Sequence, residues 1–208
     1  MAKNIDLALV MDGTGSMHPI IGSFQATAFR LLDFFRKQSN EEINRLRVRV
    51  IVFGDYEFDM VPMQTTPFYD LGNEADKAEF VKAVDSFEAQ GGGDIPENGL
   101  EALVYAFRSD FDEEAEPTIV MITDAPALAL KERESSPSYP KDMPTYHEFV
   151  QQWNNGKDIK LYVIAPEYTA YQKLPMDLKN TKFYAVGAGF GLEGIDIEQI
   201  FAIVAKNV

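Results

Sequence analysis

The stretch Ile5-Asp6-Leu7-Ala8-Leu9-Val10-Met11-Asp12-Gly13-Thr14-Gly15-Ser16 decides the fold class. Its first seven residues form a short, nearly unbroken apolar run, as expected of a strand covered on both faces. It ends in a glycine-spaced turn of oxygen-bearing side chains. Four more apolar runs follow: Leu46 to Phe53, Thr118 to Ile122, Ile159 to Ala165 and Lys182 to Val186. Phe58-Asp59-Met60-Val61-Pro62-Met63 alternates less cleanly and contains a proline, which marks it as an edge strand or hairpin arm.

Helical periodicity fills the gaps. Phe24, Ala28, Leu31, Leu32 and Phe35 share a face, as do Phe80, Val84 and Phe87, and Leu100, Leu103, Val104 and Phe107. Helices are also expected near Tyr146 to Trp153 and from Ile197 to Ala205. Strands alternating with such helices imply parallel crossovers, so the fold class is α/β: a mostly parallel central sheet with one antiparallel edge strand and helices on both faces. In such sheets ligands bind beyond the carboxyl ends of the strands. Asp12 follows the first run and Asp124 the third, which places both at that edge.

The 208 residues are 46% hydrophobic and 25% charged, which fits one globular domain, residues 1–208, with a sizeable core. No stretch has the roughly 18 consecutive apolar residues of a bilayer span, and Met1 to Asp6 lacks the apolar core of a secretory signal. The absence of cysteine excludes disulfides, thiolate metal sites and cysteine nucleophiles. A soluble, cytoplasmic protein is expected. A formal net charge of -14 argues against nucleic acid and against anionic membranes as partners.

Three segments carry oxygen ligands at the ends of apolar runs or beside them: Asp12-Gly13-Thr14-Gly15-Ser16, Gly91-Gly92-Gly93-Asp94 and Thr123-Asp124. If the fold gathers them, they offer the hard, sulfur-free and imidazole-free set that magnesium or calcium prefers. Competing readings of the first segment fail. No lysine follows the glycines, as a phosphate-binding loop requires, and the dinucleotide fingerprint lacks its third glycine. Val10 stands where an aspartyl phosphatase would carry its nucleophile. Ser16 lacks a nucleophile-elbow context, and neither His18 nor His147 is placed by sequence as its base. Alternate residues Asp12, Thr14 and Ser16 can direct three oxygens to one point, with Gly13 and Gly15 supplying unusual backbone angles.

These residues make the chain resemble a von Willebrand factor type A domain with a metal-ion-dependent adhesion site. In that family an Asp-x-Ser-x-Ser turn follows the first strand, a later loop supplies a threonine, and an aspartate follows the fourth strand. Asp12-x-Thr14-x-Ser16 is similar to the first motif and Asp124 to the last. Asp94, in Gly91 to Glu97, resembles the aspartate that an intracellular and bacterial branch carries in the threonine position. Asp12 to Met17 also looks like that branch. The resemblance implies a doubly wound sheet and a metal set of Asp12, Thr14, Ser16, Asp94 and Asp124. Thr14, Ser16 and Asp94 would ligate directly; Asp12 and Asp124 would do so directly or through water. Mg2+ is the expected ion, with Ca2+ and Mn2+ as alternatives. The implied function is a non-enzymatic module that scaffolds a protein partner at the metal edge, where the partner can supply a carboxylate. Metal-dependent hydrolysis at the same cation site is the alternative, and a metal-free interaction domain a third reading.

Each segment also has a purely structural reading. Asp94-Ile95-Pro96-Glu97 is nearly a capping box, in which Asp94 caps a helix, ligates, or does both. Ser16 could cap a helix near Pro19. Asp124 could be a turn aspartate. Asp55, Glu57 and Asp59 read as an acidic turn, His18 as an exposed histidine, and Tyr139, Tyr146, Tyr168 and Tyr171 as a contact surface or as cover for the core. Lys131 to Pro144 is read as a long surface loop beside Asp124, and Gly187 to Gly191 as a turn before the last helix.

Overall fold

The computed structural model describes residues 2–91, 95–187, 192 and 195–208. Strands β1 (Lys3–Asp12), β2 (Ile43–Phe53), β3 (Met63–Thr65), β4 (Tyr69–Asp70), β5 (Glu116–Ile122), β6 (Lys160–Ala165) and β7 (Thr181–Ala185) form one sheet. Its order is β3-β2-β1-β5-β6-β7, with β4 beside β2. Pairing is parallel from β2 through β1, β5 and β6 to β7, and antiparallel where β3 and β4 meet β2. The expected edge strand is therefore present but displaced. Pro62, with no N–H to give, lies just before β3, and its carbonyl accepts from Gly54 (3.0 Å), closing the Phe58 to Pro62 stretch into turns.

Helices α1 (His18–Thr27), α2 (Leu31–Gln38), α3 (Glu74–Asp85), α4 (Gly99–Phe107), α5 (Tyr146–Asn155), α6 (Thr169–Asp177) and α7 (Ile197–Ala205) cover both faces. Alternation along β1 sorts the core: Ile5, Leu7, Leu9 and Met11 pack with α1, α2, α3 and α7, while Ala8 and Val10 pack with α4, α5 and α6. The single helix suggested by Phe24 to Phe35 is broken by a 3-10 turn, Ala28–Arg30. Thr27 Oγ1 bonds back to the carbonyls of Ser23 (3.0 Å) and Phe24 (3.2 Å), a pattern that bends helices. The helix α6 escaped the periodicity reading: it buries only Tyr171 and Leu174 and carries Pro175 in its last turn.

Two local expectations are corrected. The helix after the glycine-rich segment begins at Gly99 with Asn98 as N-cap, not at Ile95; Asp94, the cap of the expected box, lies outside the described residues. Glu97 N–H instead donates to Pro126 O (2.9 Å), and Leu128 N–H to Glu97 O (2.8 Å). A capping box does occur at Thr145 and Glu148, at the start of α5. The Lys131 to Pro144 segment is only partly a surface loop, because Tyr139 and Met143 are buried in the core.

Register sets the site. Asp12 pairs with Phe53 and Met11 with Ile122, so β1, β2 and β5 end level with one another. Chain connections run to opposite sides of the sheet between β1 and β5, and the crevice at such a switch point is where α/β sheets bind ligands.

Candidate metal centre

Asp12 is the last residue of β1 and fully buried. Its Oδ1 accepts the backbone N–H of Thr14 (2.9 Å) and its Oδ2 accepts the Thr123 hydroxyl (2.7 Å). Among the described residues no lysine or arginine pairs with it. Burial is the main force pushing its pKa up to about 6; the Asp124 charge adds to the rise, and hydrogen bonds from Thr123 and Thr14 oppose it.

The other oxygens follow in sequence. Thr14 Oγ1 stands 3.1 Å from Ser16 Oγ, and Ser16 Oγ donates to Asp124 Oδ1 at 3.0 Å. Ser16 bonds across 108 residues, and the helix it was expected to cap takes Met17 as its N-cap with no side-chain bond. Asp124, read also as a turn aspartate, here accepts from the first motif. The structure thus brings Asp12, Thr14, Ser16 and Asp124 together. Asp94 lies outside the described residues, as do four of the five residues of Gly187 to Gly191.

The glycines act differently from the expectation. Among the described glycines only Gly91 has a positive φ (84°). Gly13 is required by space: a Cβ there would stand 2.6 Å from Val52 Cγ1 and 3.2 Å from Phe53 O, whereas one on Gly15 meets only an ordinary 3.6 Å contact. Gly13→Ala is therefore expected to cost about 1–3 kcal/mol in denaturant unfolding, and Gly15→Ala within about 0.5 kcal/mol. Equal costs at the two positions would refute this reading.

Around the four residues, three loops are tied together. Asn98 N–H donates to Gly54 O (3.2 Å) and its Oδ1 accepts from Tyr56 N–H (2.9 Å). The acidic turn is held by Arg133, which pairs with Asp55 (2.9 Å) and Glu57 (2.7 Å), while Ser136 and Ser138 donate to Tyr56 O (2.6 and 3.0 Å). Asp55 and Glu57 thus point to an arginine, and Asp59 Oδ2 accepts from Asp55 N–H (2.8 Å). His18 is exposed. Tyr139 and Tyr171 are buried and Tyr146 and Tyr168 pack against the same core, so these tyrosines cover the core. Sequence reasoning gave no role of its own to Thr123, named only as part of its segment, and missed Asn98 and Arg133. Thr123 had a readable signal, a hydroxyl at the end of a strand. Asn98 and Arg133 had none, since their partners lie 42 and 78 residues away.

The donor set is chemically suited to a hard divalent cation, being two carboxylates and two hydroxyls with no nitrogen or sulfur. Among the described residues no group of three or more histidine or acidic side chains is gathered as cation ligands, so the site's anionic contribution there is the pair Asp12 and Asp124. Among those residues, too, no helix is long and apolar enough to cross a membrane.

A pilus adhesin structure, SpaC from Lactobacillus rhamnosus GG, superposes with a TM-score of 0.63 at 13% identity, covering 99% of this chain and 30% of that one. The open conformation of the same adhesin gives 0.46 at 18% identity over 61% of this chain and 15% of that one. The chain thus spans about a third of the adhesin, and the likeness is one of fold. No curated protein matches it. A family profile, von Willebrand factor A domain, matches residues 6–138, more than half the chain and the span that holds Asp12, Thr14, Ser16 and Asp124. By that match, with the fold around it, the chain belongs to the von Willebrand factor A domain family.

Proposed function

We propose that this domain is a divalent-cation-binding interaction module of the intracellular branch, cytoplasmic and non-enzymatic, that holds a protein partner at the carboxyl edge of its sheet. One observation carries the reading: Ser16 Oγ lies 3.1 Å from Thr14 Oγ1 and 3.0 Å from Asp124 Oδ1, with the fully buried Asp12 tied to the same turn through the Thr14 N–H. The compact, oxygen-only donor set suits Mg2+, with Mn2+ and Ca2+ as alternatives.

A bound cation would supply positive charge at this edge and an open position for a partner's carboxylate. The chain's own residues do the rest. Thr14 and Ser16 offer neutral lone pairs. Thr123 and the Thr14 N–H orient Asp12, whose buried charge lacks a cationic side chain among the described residues. Asp94, as a further ligand, would partly neutralise the ion and lower its affinity for an external carboxylate. Hydrolysis needs a general base beside the cation; His147 instead meets Gln151 on α5 (3.0 Å).

Calorimetric titration of chelator-stripped protein with MgCl2 is the test. A single-site isotherm is expected, lost in Ser16→Ala and weakened in Asp94→Asn. Partner retention on immobilised protein should fall with chelator and with Ser16→Ala alike. Heat of dilution alone would remove the metal, and retention indifferent to both treatments would remove its role in partner binding.

A further inference from the structure

Beside the candidate metal centre, a cleft of about 380 Å³ opens between the ends of β1 and β2, the Phe58–Val61 turns and the segment after α3. Gly13, the residue between Asp12 and Thr14, forms part of its wall, so it is continuous with the oxygen cluster. Its rim is unusual for a water-soluble surface. Phe58 is 53% exposed, Met60 100% and Val61 59%, three large apolar side chains within four residues. Such a cluster, beside a cleft and bordered by polar groups, marks an interaction surface. Two carboxylates, Asp59 and Glu88, lie in the lining, and none of the described lining residues is lysine, arginine or histidine. Arg133 covers one face of Phe58 at 5.3 Å but is committed to Asp55 and Glu57.

We propose that this cleft receives a short segment of a protein partner in which a large apolar side chain stands next to lysine or arginine. The apolar residue would pack on Phe58, Met60 and Val61, and the cation would face Asp59 and Glu88. Charge decides against a second copy of this chain, which carries 33 acidic against 19 basic residues and would bring like charge to an acidic wall. The same balance opposes nucleic acid and anionic lipid. The inference rests on the reading of this edge as the one that meets a protein, but none of its residues is a proposed ligand of the ion. The partner would thus be read at two adjoining places, a carboxylate at the cation and a basic, apolar stretch at the cleft.

The experiment uses the full 15N-labelled chain and two capped hexapeptides, one alternating lysine with leucine and the other glutamate with leucine. Saturable shifts are expected at the amides of Gly54, Met60, Gln64 and Gly91, with the lysine peptide binding at least about tenfold more tightly. Met60→Ser and Glu88→Gln, both at exposed positions, should each weaken the lysine peptide several-fold with an unchanged melting midpoint. Chelator should leave its affinity within about twofold. Equal affinity for the two peptides, shifts confined elsewhere, or indifference to both substitutions would overturn the proposal. So would a concentration-dependent dimer in sedimentation that Met60→Ser abolishes, since the occupant would then be a second copy. Magnesium binding is read separately by calorimetry, so a failure of the cation site and a failure of the cleft give different results.

Discussion

Magnesium at about a thousandfold excess over its Kd should stabilise the folded chain by about 4.1 kcal/mol, because it binds the native state and not the unfolded one. For a domain of this size that raises the thermal midpoint by roughly 8–16 °C. The effect is large because the unfolded chain has no counterpart: Ser16 and Asp124 are 108 residues apart and Asp12 and Thr123 are 111 apart. Asp12→Asn gives the sharper result. It removes a buried charge that has no cationic side chain among the described residues, while its amide oxygen can still accept the Thr14 N–H. Without metal this variant should melt at or above the metal-free wild type, yet gain nothing from magnesium. A wild-type midpoint unmoved by millimolar magnesium would end the cation reading. A variant that still responds would remove Asp12 from it.

Asp6→Ala should cost about 3 kcal/mol, roughly 6–12 °C in the thermal midpoint, at the opposite end of the sheet. Asp6 is fully buried in β1. Arg47 on the neighbouring strand grips it through two nitrogens, one at 2.8 Å, and Asp112 N–H donates to it at 2.7 Å. Arg47 also stacks over Phe68, with its guanidinium 4.9 Å from the ring centre. Truncating Asp6 leaves a partly buried guanidinium and a backbone N–H without their acceptor, and that loss exceeds the net value of the intact pair. Replacing both partners, Asp6→Leu with Arg47→Met, should recover most of the loss, which a double-mutant cycle in denaturant would read. Near-additive costs would show that the pair does not act as a unit. Neither change should alter magnesium binding, since Asp6 lies in the first half of β1, away from Asp12 at its end, and Arg47 is its register partner on β2.

Most of the fold was legible because its information is local. The apolar runs that became β1, β5, β6 and the second half of β2 are buried on both faces, and such strands show themselves without any partner in view; β7, at the sheet edge, is only partly buried but keeps its apolar run. Helix α7 was read to the residue, Ile197–Ala205, because its apolar face is continuous. The edge strand was misplaced by about five residues, since the alternation of Phe58 to Met63 comes from a turn whose apolar side chains face solvent. Helix α6 was missed for the converse reason, having too few buried residues to show a period. The candidate site divides in the same way. Asp12, Thr14, Ser16 and Asp124 were readable as oxygen donors at strand ends, but their convergence was not, nor was the steric reason for Gly13.

The sequence by itself determined the alternation of strands and helices, the family likeness and the chemical hardness of the donors, because residue type and local spacing specify these. Only the tertiary structure decided that a serine near the start of the chain bonds to an aspartate past its middle, that Asn98 and Arg133 tie the surrounding loops, and that an acidic, apolar-rimmed cleft adjoins them. Those outcomes depend on the level register of β1, β2 and β5. That register is set by packing on both faces of the sheet and is absent from any short window of residues.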